Sequence, residues 1–272
     1  MARETVLEEM RDGVLLLTMN RPKQKNAFNS AMWCDMREAL AEARADDAVR
    51  TVVITGSEGA FTAGQDLGEM GGGGAGAGVP SEGAIGASPF GQFMDELCLF
   101  DKPLVAAVNG VGVGIGLTLL LHCDYVYISR AARLRAPFIT LGVVPEAAAS
   151  YLLPALLGWR QAVDMLFESD FLSAERAHEL GLATHLCEPE AVLEEALARA
   201  AHLARKPLGS LRWTKRLLLA TRQDLVAAAR AREDDAFLHR VGSPENIEAI
   251  TAFFQKRDPD FSEVSPGDKP RG

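Results

Sequence analysis

The apolar positions fall into three successive patterns along the chain. Residues 5–10 (TVLEEM) and 14–20 (VLLLTMN) read as two short strands around an Asp12-Gly13 turn. Beyond them, Asn29 and Ser30 can cap a helix running to about Ala45, with Met32, Met36, Ala39, Leu40 and Ala43 on one face. TVVITG (51–56) is then apolar without alternation and ends in glycine, the mark of a strand buried on both faces. LVAAVNG (104–110) repeats that pattern and YVYIS (125–129) supplies another strand. Strands alternating with helices predict an α/β layered fold with much parallel pairing. From Leu156 the pattern turns helical almost throughout, over 158–168, 173–180, 189–205, 207–220, 222–240 and 243–256. This predicts a β-rich α/β core over residues 1–200, a helical region over 201–262 and a flexible tail over 263–272.

The glycine-rich stretch 71–78 (GGGGAGAG), continuing loosely to Pro89, lies between segments that keep the strand-helix alternation. It therefore reads as a mobile loop or frayed helix beside a pocket rather than an interdomain linker. Composition narrows the class further. The 272 residues are 48% hydrophobic and 24% charged, which excludes a disordered chain, a collagen-like fibre and a disulfide-dense miniprotein. The formal net charge of -9 disfavours a nucleic-acid partner. Four scattered cysteines (Cys34, Cys98, Cys123, Cys187) form no CxxC pair, which predicts reduced thiols and no metal site. The N-terminus MARETVLEEMRDG lacks a signal-peptide pattern, and the longest apolar run, Leu104 to Leu121, is broken by Asn109 and four glycines. A cytoplasmic protein with no membrane partner is expected.

Two segments carry candidate chemistry. FTAGQDL (61–67) reads as a short loop after the TVVITG strand, in which Gly64 permits an unusual backbone turn. NGVGVGIGLTLLLHCD (109–124) follows a buried strand and leads into the apolar helix LTLLLH. Its glycines would let a ligand approach the backbone, and the free N–H groups of a helix start can hold an anion or a developing negative charge. Gly110, Gly112, Gly114 and Gly116 fall at every second position, so GxGxxG spacing is not met, and no Gly-Lys-Ser/Thr occurs. Neither a dinucleotide fingerprint nor a P-loop is therefore read here. Two backbone-donor loops, each after a buried strand, could together supply the N–H pair of an oxyanion hole if the fold brings them together.

NRPKQKNAF (20–28), FTAGQDL (61–67), KPLVAAVNGVGVGIG (102–116), APFITLGVVPE (136–146) and IEAITAFFQKRDPDF (247–261) resemble, in order, segments of the enoyl-CoA hydratase/isomerase, or crotonase, superfamily. The resemblance implies a spiral core of ββα repeats with a C-terminal helical trimerisation region, and a homotrimer or dimer of trimers. It implies a coenzyme A thioester substrate, with no separate cofactor, whose carbonyl is held by the backbone N–H groups of Gln65 and Ile115. Most members of the family have Gly at the second position, and an isoleucine side chain there would narrow the approach. CoA would run along Gln24, Lys25 and Ala27 and along Ala63, Asp66 and Leu67, with Gly114 beside the carbonyl. Phe253 and Lys256 match tail positions that contact CoA, often from another subunit.

A hydratase of this family uses two glutamates to bind and activate a water; here those positions are Thr118 and Phe138. Glu146 resembles the single base of peroxisomal-type Δ3,Δ2-enoyl-CoA isomerases. Its apolar neighbours, Val143–Pro145 and Ala147–Ala149, should raise its pKa towards neutrality. The leading expectation is an enoyl-CoA isomerase. The alternatives are an enoyl-CoA hydratase and a non-catalytic acyl-CoA-binding protein. Glu69, Glu82, Asp95 and Glu96 are expected at the solvated surface, or else lining the acyl pocket. Asp124 is expected in the core in a capping or salt-bridge role, and His122 as a hydrogen-bonded core histidine. Met70 and Met94 are expected as fillers, and Arg230, Arg232 and Arg240 on a solvated helix face or at subunit contacts.

Overall fold

The computed structural model describes residues 3–71 and 84–265. Among the described residues ten strands build two sheets: β1 (Val6–Arg11), β2 (Val14–Met19), β3 (Thr51–Gly56), β4 (Ala60–Thr62), β5 (Leu104–Val108), β6 (Val111–Val113), β7 (Tyr125–Ser129), β8 (Arg133–Arg135), β9 (Leu172–Ser173) and β10 (His185–Cys187). The helices of the first half are α1 (Ser30–Ala45), α2 (Leu67–Gly71), α3 (Ala84–Ala87), α4 (Pro89–Leu99) and α5 (Ile115–Thr118), the last continued by a 3₁₀ turn over Leu119–His122. Those of the second half are α6 (Ala149–Leu157), α7 (Trp159–Glu168), α8 (Ala174–Glu179), α9 (Val192–Ala204), α10 (Leu208–Ala220), α11 (Gln223–Arg240) and α12 (Pro244–Gln255).

The larger sheet has the order β1-β2-β3-β5-β7-β10 and the smaller β4-β6-β8-β9. β1 and β2 pair antiparallel, whereas β2, β3, β5, β7 and β10 are parallel, with Leu17 opposite Ile54 and Val53 opposite Val105. Three times the chain lays a long strand in the first sheet and a short one in the second: β3 then β4, β5 then β6, β7 then β8. Each pair is followed by helix, so the core is a spiral of ββα units, as the family resemblance implies.

The unbroken apolar run of β3 is explained by burial on two faces. Val52 and Ile54 join the main core with Met32, Met36 and Leu40 of α1. Val53, Val105, Ala107 and Tyr127 turn the other way, onto Val192, Ala196 and Ala200 of α9. α1 starts where the sequence places it, with the Asn29 side chain accepting from Met32 N–H. The short strands β4, β6, β8 and β9 have too few residues to show a period, and β9 and β10 fall at the gaps between helices in the region read as helical almost throughout. α4 and α6 were not anticipated either. The chain at 72–83, with Glu82, lies outside the described residues, as does 266–272 of the expected tail.

The alternating glycines serve packing more than ligand approach. A Cβ on Gly110 would lie 2.0 Å from Gly59 O, and one on Gly116 would lie 2.9 Å from Thr62 O. These glycines let the two rows of short strands and turns close on each other. Gly110→Ala should therefore cost on the order of 3–4 kcal/mol, because the obstacle is backbone. Gly59→Ala meets nothing within 4 Å and pays only for φ +74°, about 1–2 kcal/mol. Urea unfolding of the two variants checks this ranking.

Candidate active site

The loop that carries Gln24, Lys25 and Ala27 is folded by the buried Asn26. Its amide donates to Ser57 O and Ala60 O at 2.9 Å each, while its Oδ1 accepts from Arg21 N–H and Ser57 Oγ. Lys25 and Asn26 both take left-handed backbone angles there. Gln24 and Lys25 are exposed and Ala27 is buried. Phe28 then bridges Gln65: Phe28 N–H donates to Gly64 O (2.7 Å) and Asp66 N–H to Phe28 O (2.8 Å). By the alternation of a bridged strand, the Gln65 N–H is left facing away from Phe28. The Gln65 side chain accepts from Trp33 Nε1 at 3.0 Å, a tie from α1 that sequence reading missed. Asp66 pairs with Arg21 and accepts from Gly68 N–H, so it performs turn and ion-pair chemistry, with Ala63 and Leu67 half-buried beside it.

The two glycine turns meet. Gly64 has φ +91°, and a Cβ there would lie 2.7 Å from Val113 O and 3.8 Å from the Gly114 Cα. Only glycine satisfies both the angle and the contact. Gly114 is held by its own N–H donating to Arg135 O and by its carbonyl accepting from Leu117 and Thr118. Ile115 is the first residue of α5, so its N–H has no partner within that helix. Neither the Gln65 nor the Ile115 N–H finds an acceptor among the described residues. The Ile115 side chain is buried in the core, so it does not narrow the approach as the sequence suggested.

One helical turn on, Thr118 is fully buried and its hydroxyl faces Glu146 Oε1 at 3.3 Å and Gly114 O at 3.4 Å. Glu146 keeps part of its surface open, yet protein atoms enclose most of its carboxyl group. Burial, followed by the like charge of Glu233, pushes its pKa up to about 8, against a small opposing effect of the Thr118 hydroxyl. Phe138 is buried too, leaving the second family carboxylate position apolar.

Other residues settle as follows. His122 is a core histidine, Nε2 lying 2.9 Å from Ala147 O. Met94 is a core filler. Glu69 is exposed and accepts from Ser30, while Glu96 pairs with Arg44. Asp124 is at the surface rather than in the core, but it does make an ion pair, with Lys215 at 2.7 Å. Arg230 is not on a solvated face: it holds Asp95 (2.8 Å) and Gly91 O (3.2 Å). Phe253 and Lys256 at the end of α12 are exposed, and α12 itself packs near α2 and the turn over Ile139–Leu141. No group of three or more His, Cys, Asp or Glu placed to hold a metal occurs among the described residues. No helix among them is long and apolar enough to cross a membrane.

The spiral ββα core brings the Gly64 and Gly114 turns together, with the enclosed Glu146 carboxyl group one helical turn beyond. The sequence profile described as Enoyl-CoA hydratase/isomerase matches residues 9–264. The chain is 35% identical to a 2,3-dehydroadipyl-CoA hydratase of Escherichia coli (strain K12), covering 91% of this chain and 94% of that one. It is also 35% identical to an enoyl-CoA delta isomerase 2 of Rattus norvegicus, covering 93% of this chain and 64% of that one. The crystal structure of an enoyl-CoA hydratase/isomerase from Pseudoalteromonas atlantica T6c superposes with a TM-score of 0.88 at 36% identity, over 95% of this chain and 100% of that one. The chain belongs to the enoyl-CoA hydratase/isomerase family, and is an acyl-CoA-processing enzyme of that family.

The raised Glu146 pKa has a consequence for stability. An ordinary glutamate is ionised above about 4.5, so in the unfolded chain Glu146 loses its proton while the fold still retains it. Folding stability therefore falls as pH rises from about 4.5 to about 8. Glu146→Gln should remove that loss, stabilising the protein by roughly 4–5 kcal/mol at pH 8 and by almost nothing at pH 4. Thermal unfolding of both proteins across this range measures it.

Proposed function

We propose that the enzyme is a Δ3,Δ2-enoyl-CoA isomerase with Glu146 as its single acid-base group. The observation that carries this reading is the Thr118–Glu146 contact, because it ties the carboxyl group to the short helix whose first N–H is that of Ile115. The Gln65 N–H, across the Gly64–Gly114 contact, is the second donor to the thioester carbonyl.

In the proposed cycle the Glu146 carboxylate takes the C2 proton of a 3-enoyl thioester. The electron pair moves into the conjugated system, and the negative charge on the thioester oxygen is stabilised by the two N–H groups. The same carboxyl group returns the proton to C4 as the double bond settles between C2 and C3. One group suffices because the proton travels along one face of the dienolate. The opposite face needs no second acid, which suits Phe138. Gln24, Lys25, Ala27, Ala63, Asp66 and Leu67 would line the path of CoA, with Phe253 and Lys256 at its outer end. Direct hydration is disfavoured: Thr118 and Phe138 offer no carboxylate pair to position and deprotonate a water.

The base must be ionised, so kcat/KM should climb with pH and level off above about 8. Glu146→Gln should lower 3-hexenoyl-CoA isomerisation about 10²–10⁴-fold while calorimetric binding of a saturated acyl-CoA stays nearly unchanged. Crotonyl-CoA hydration should stay below the order of 10 per second typical of enzymes; a rate above that, with no C2 deuterium exchange from 3-hexenoyl-CoA, would overturn the isomerase reading.

We further propose a trimer or dimer of trimers. Trp213, Leu217 and Leu218 of α10 are about two-thirds exposed, at 64%, 67% and 66%, an apolar face that assembly would cover. A stable monomer at micromolar concentration in sedimentation would contradict this.

A further inference from the structure

The turn that follows Glu146 is built from residues that resist its shape. Ala147 and Ala148 both hold left-handed backbone angles, φ +59° and +60°, a region alanine avoids because its Cβ crowds the adjoining carbonyl. Two buried groups from distant parts of the chain hold it there. On one side stands His122, whose pKa burial lowers to about 4, leaving the ring neutral. Since Ala147 O can only accept, Nε2 carries the ring proton and donates to it over 2.9 Å. On the other side the Glu233 carboxylate of α11 accepts from Ala148 N–H at 2.6 Å and from Ser150 N–H at 2.7 Å. Glu233 is only 5% exposed. α6 receives no hydrogen bond from its own N-cap side chain, so a carboxylate of another helix performs that role.

We propose that Glu233 is a positioning residue for Glu146: through Ala148 and Ser150 it locks the left-handed turn that aims the Glu146 carboxyl group at the substrate. The proposal rests on the reading of Glu146 as the base. It accounts for an otherwise costly arrangement, a buried carboxylate spent on two backbone amides beside another buried carboxyl group.

The electrostatic surroundings agree. α5 presents only the Thr118 hydroxyl to Glu146, and the 3₁₀ turn presents the neutral His122 beside it. α11 presents Glu233 and Asp234, the two charges that act on Glu146. Arg230 of α11 is engaged by Asp95 of α4, and Arg222 reaches Leu121 O. Burial raises the Glu233 pKa as well, and its hydrogen bonds from Ser150 and Ala148 oppose that rise by favouring the ionised form.

The test compares wild type, Glu233→Gln and Asp234→Asn. Glutamine keeps the size of Glu233, removes the charge and sets an NH₂ group against one of the two backbone donors. The Glu146 carboxyl titration is followed by ¹³C NMR of glutamate-labelled protein, assigned with Glu146→Gln, beside isomerisation kinetics. In Glu233→Gln the midpoint should move down by about one pH unit, as expected for removing one like charge in a partly buried site. kcat should fall about tenfold or more, with KM within about twofold. Asp234→Asn, which touches no backbone of the turn, should lower the midpoint while kcat is retained.

An unchanged midpoint and kcat in Glu233→Gln overturn the proposal, as does an equal kcat loss in Asp234→Asn, which would make charge alone responsible. Should Glu233→Gln not fold, Glu233→Asp replaces it: lost kcat with the midpoint still near that of wild type supports positioning, and wild-type kcat overturns it. If the wild-type enzyme does not isomerise 3-enoyl thioesters, the isomerase reading fails by itself. The NMR spectra then still decide the positioning role: a Glu146 carboxyl resonance displaced in Glu233→Asp with its midpoint near that of wild type supports it, and an unmoved resonance overturns it.

Discussion

The site depends on two backbones coming closer than any side chain would allow. Gly64 and the Val113–Gly114 peptide touch, so a single Cβ at position 64 would meet a carbonyl oxygen at 2.7 Å. The contact joins the turn after β4 to the turn after β6, and both short strands exist to deliver those turns to the same place. Parallel pairing of β4 with β6 fixes their register. Asn26 fastens the preceding loop to Ser57 and Ala60, while Arg135 O fixes Gly114 from β8. If the Gln65 and Ile115 N–H groups are the carbonyl donors, as proposed, donors held this way need no reorganisation when charge develops, which is where electrostatic catalysis gains most.

Glu146 adds a tension to that rigid frame. Enclosure makes its carboxyl group a stronger base, but the same enclosure makes the ionised form costly to the fold. Among the described residues no arginine or lysine relieves the cost; such a cation would also quench the basicity. It offers one shared hydroxyl, from Thr118, and places Glu233 nearby as a second negative charge. Stability is given up locally for proton affinity, and the large two-faced core under the site can absorb the loss.

What could be read from the sequence was whatever has a local signature. The Asn29 cap, the amphipathic face of α1, the unbroken apolar strands and the helices from 158 onward all follow from spacing over a few residues. The enclosure of Glu146 and its raised pKa were legible because its apolar neighbours sit beside it in the chain. Glu233 was not. It lies in the polar run ARAREDD, and its function comes from meeting Ala148 and Ser150 across more than eighty positions, which no periodicity encodes. Trp33 escaped notice likewise: the spacing does not single it out on α1, and its indole N–H donates to Gln65 from far away in the chain. The glycines at 110, 112 and 116 were legible as a motif but misread in purpose. Glycine spacing alone does not distinguish room for a ligand from room for another strand.

Because the proposed carbonyl donors are backbone groups, a family built on this frame can vary side chains around the reacting carbons without dismantling the part that holds the thioester. That explains why relatives named hydratase and relatives named isomerase align with this chain at equal identity. The choice of chemistry falls to the few side chains above the acyl group. Two facing carboxylates would hold a water; under the isomerase proposal Thr118, Phe138 and the one enclosed Glu146 shuttle a proton instead. The C-terminal helices belong to the same decision. α11 reaches the turn behind Glu146 through Glu233, and α12 holds the preceding turn through Asn246, whose side-chain amide donates to Leu141 O at 2.7 Å. Residues between Phe138 and Ser150 are thus fastened from the far end of the chain, and the Glu146 carboxyl group is as well placed as the packing of α11 and α12 makes it.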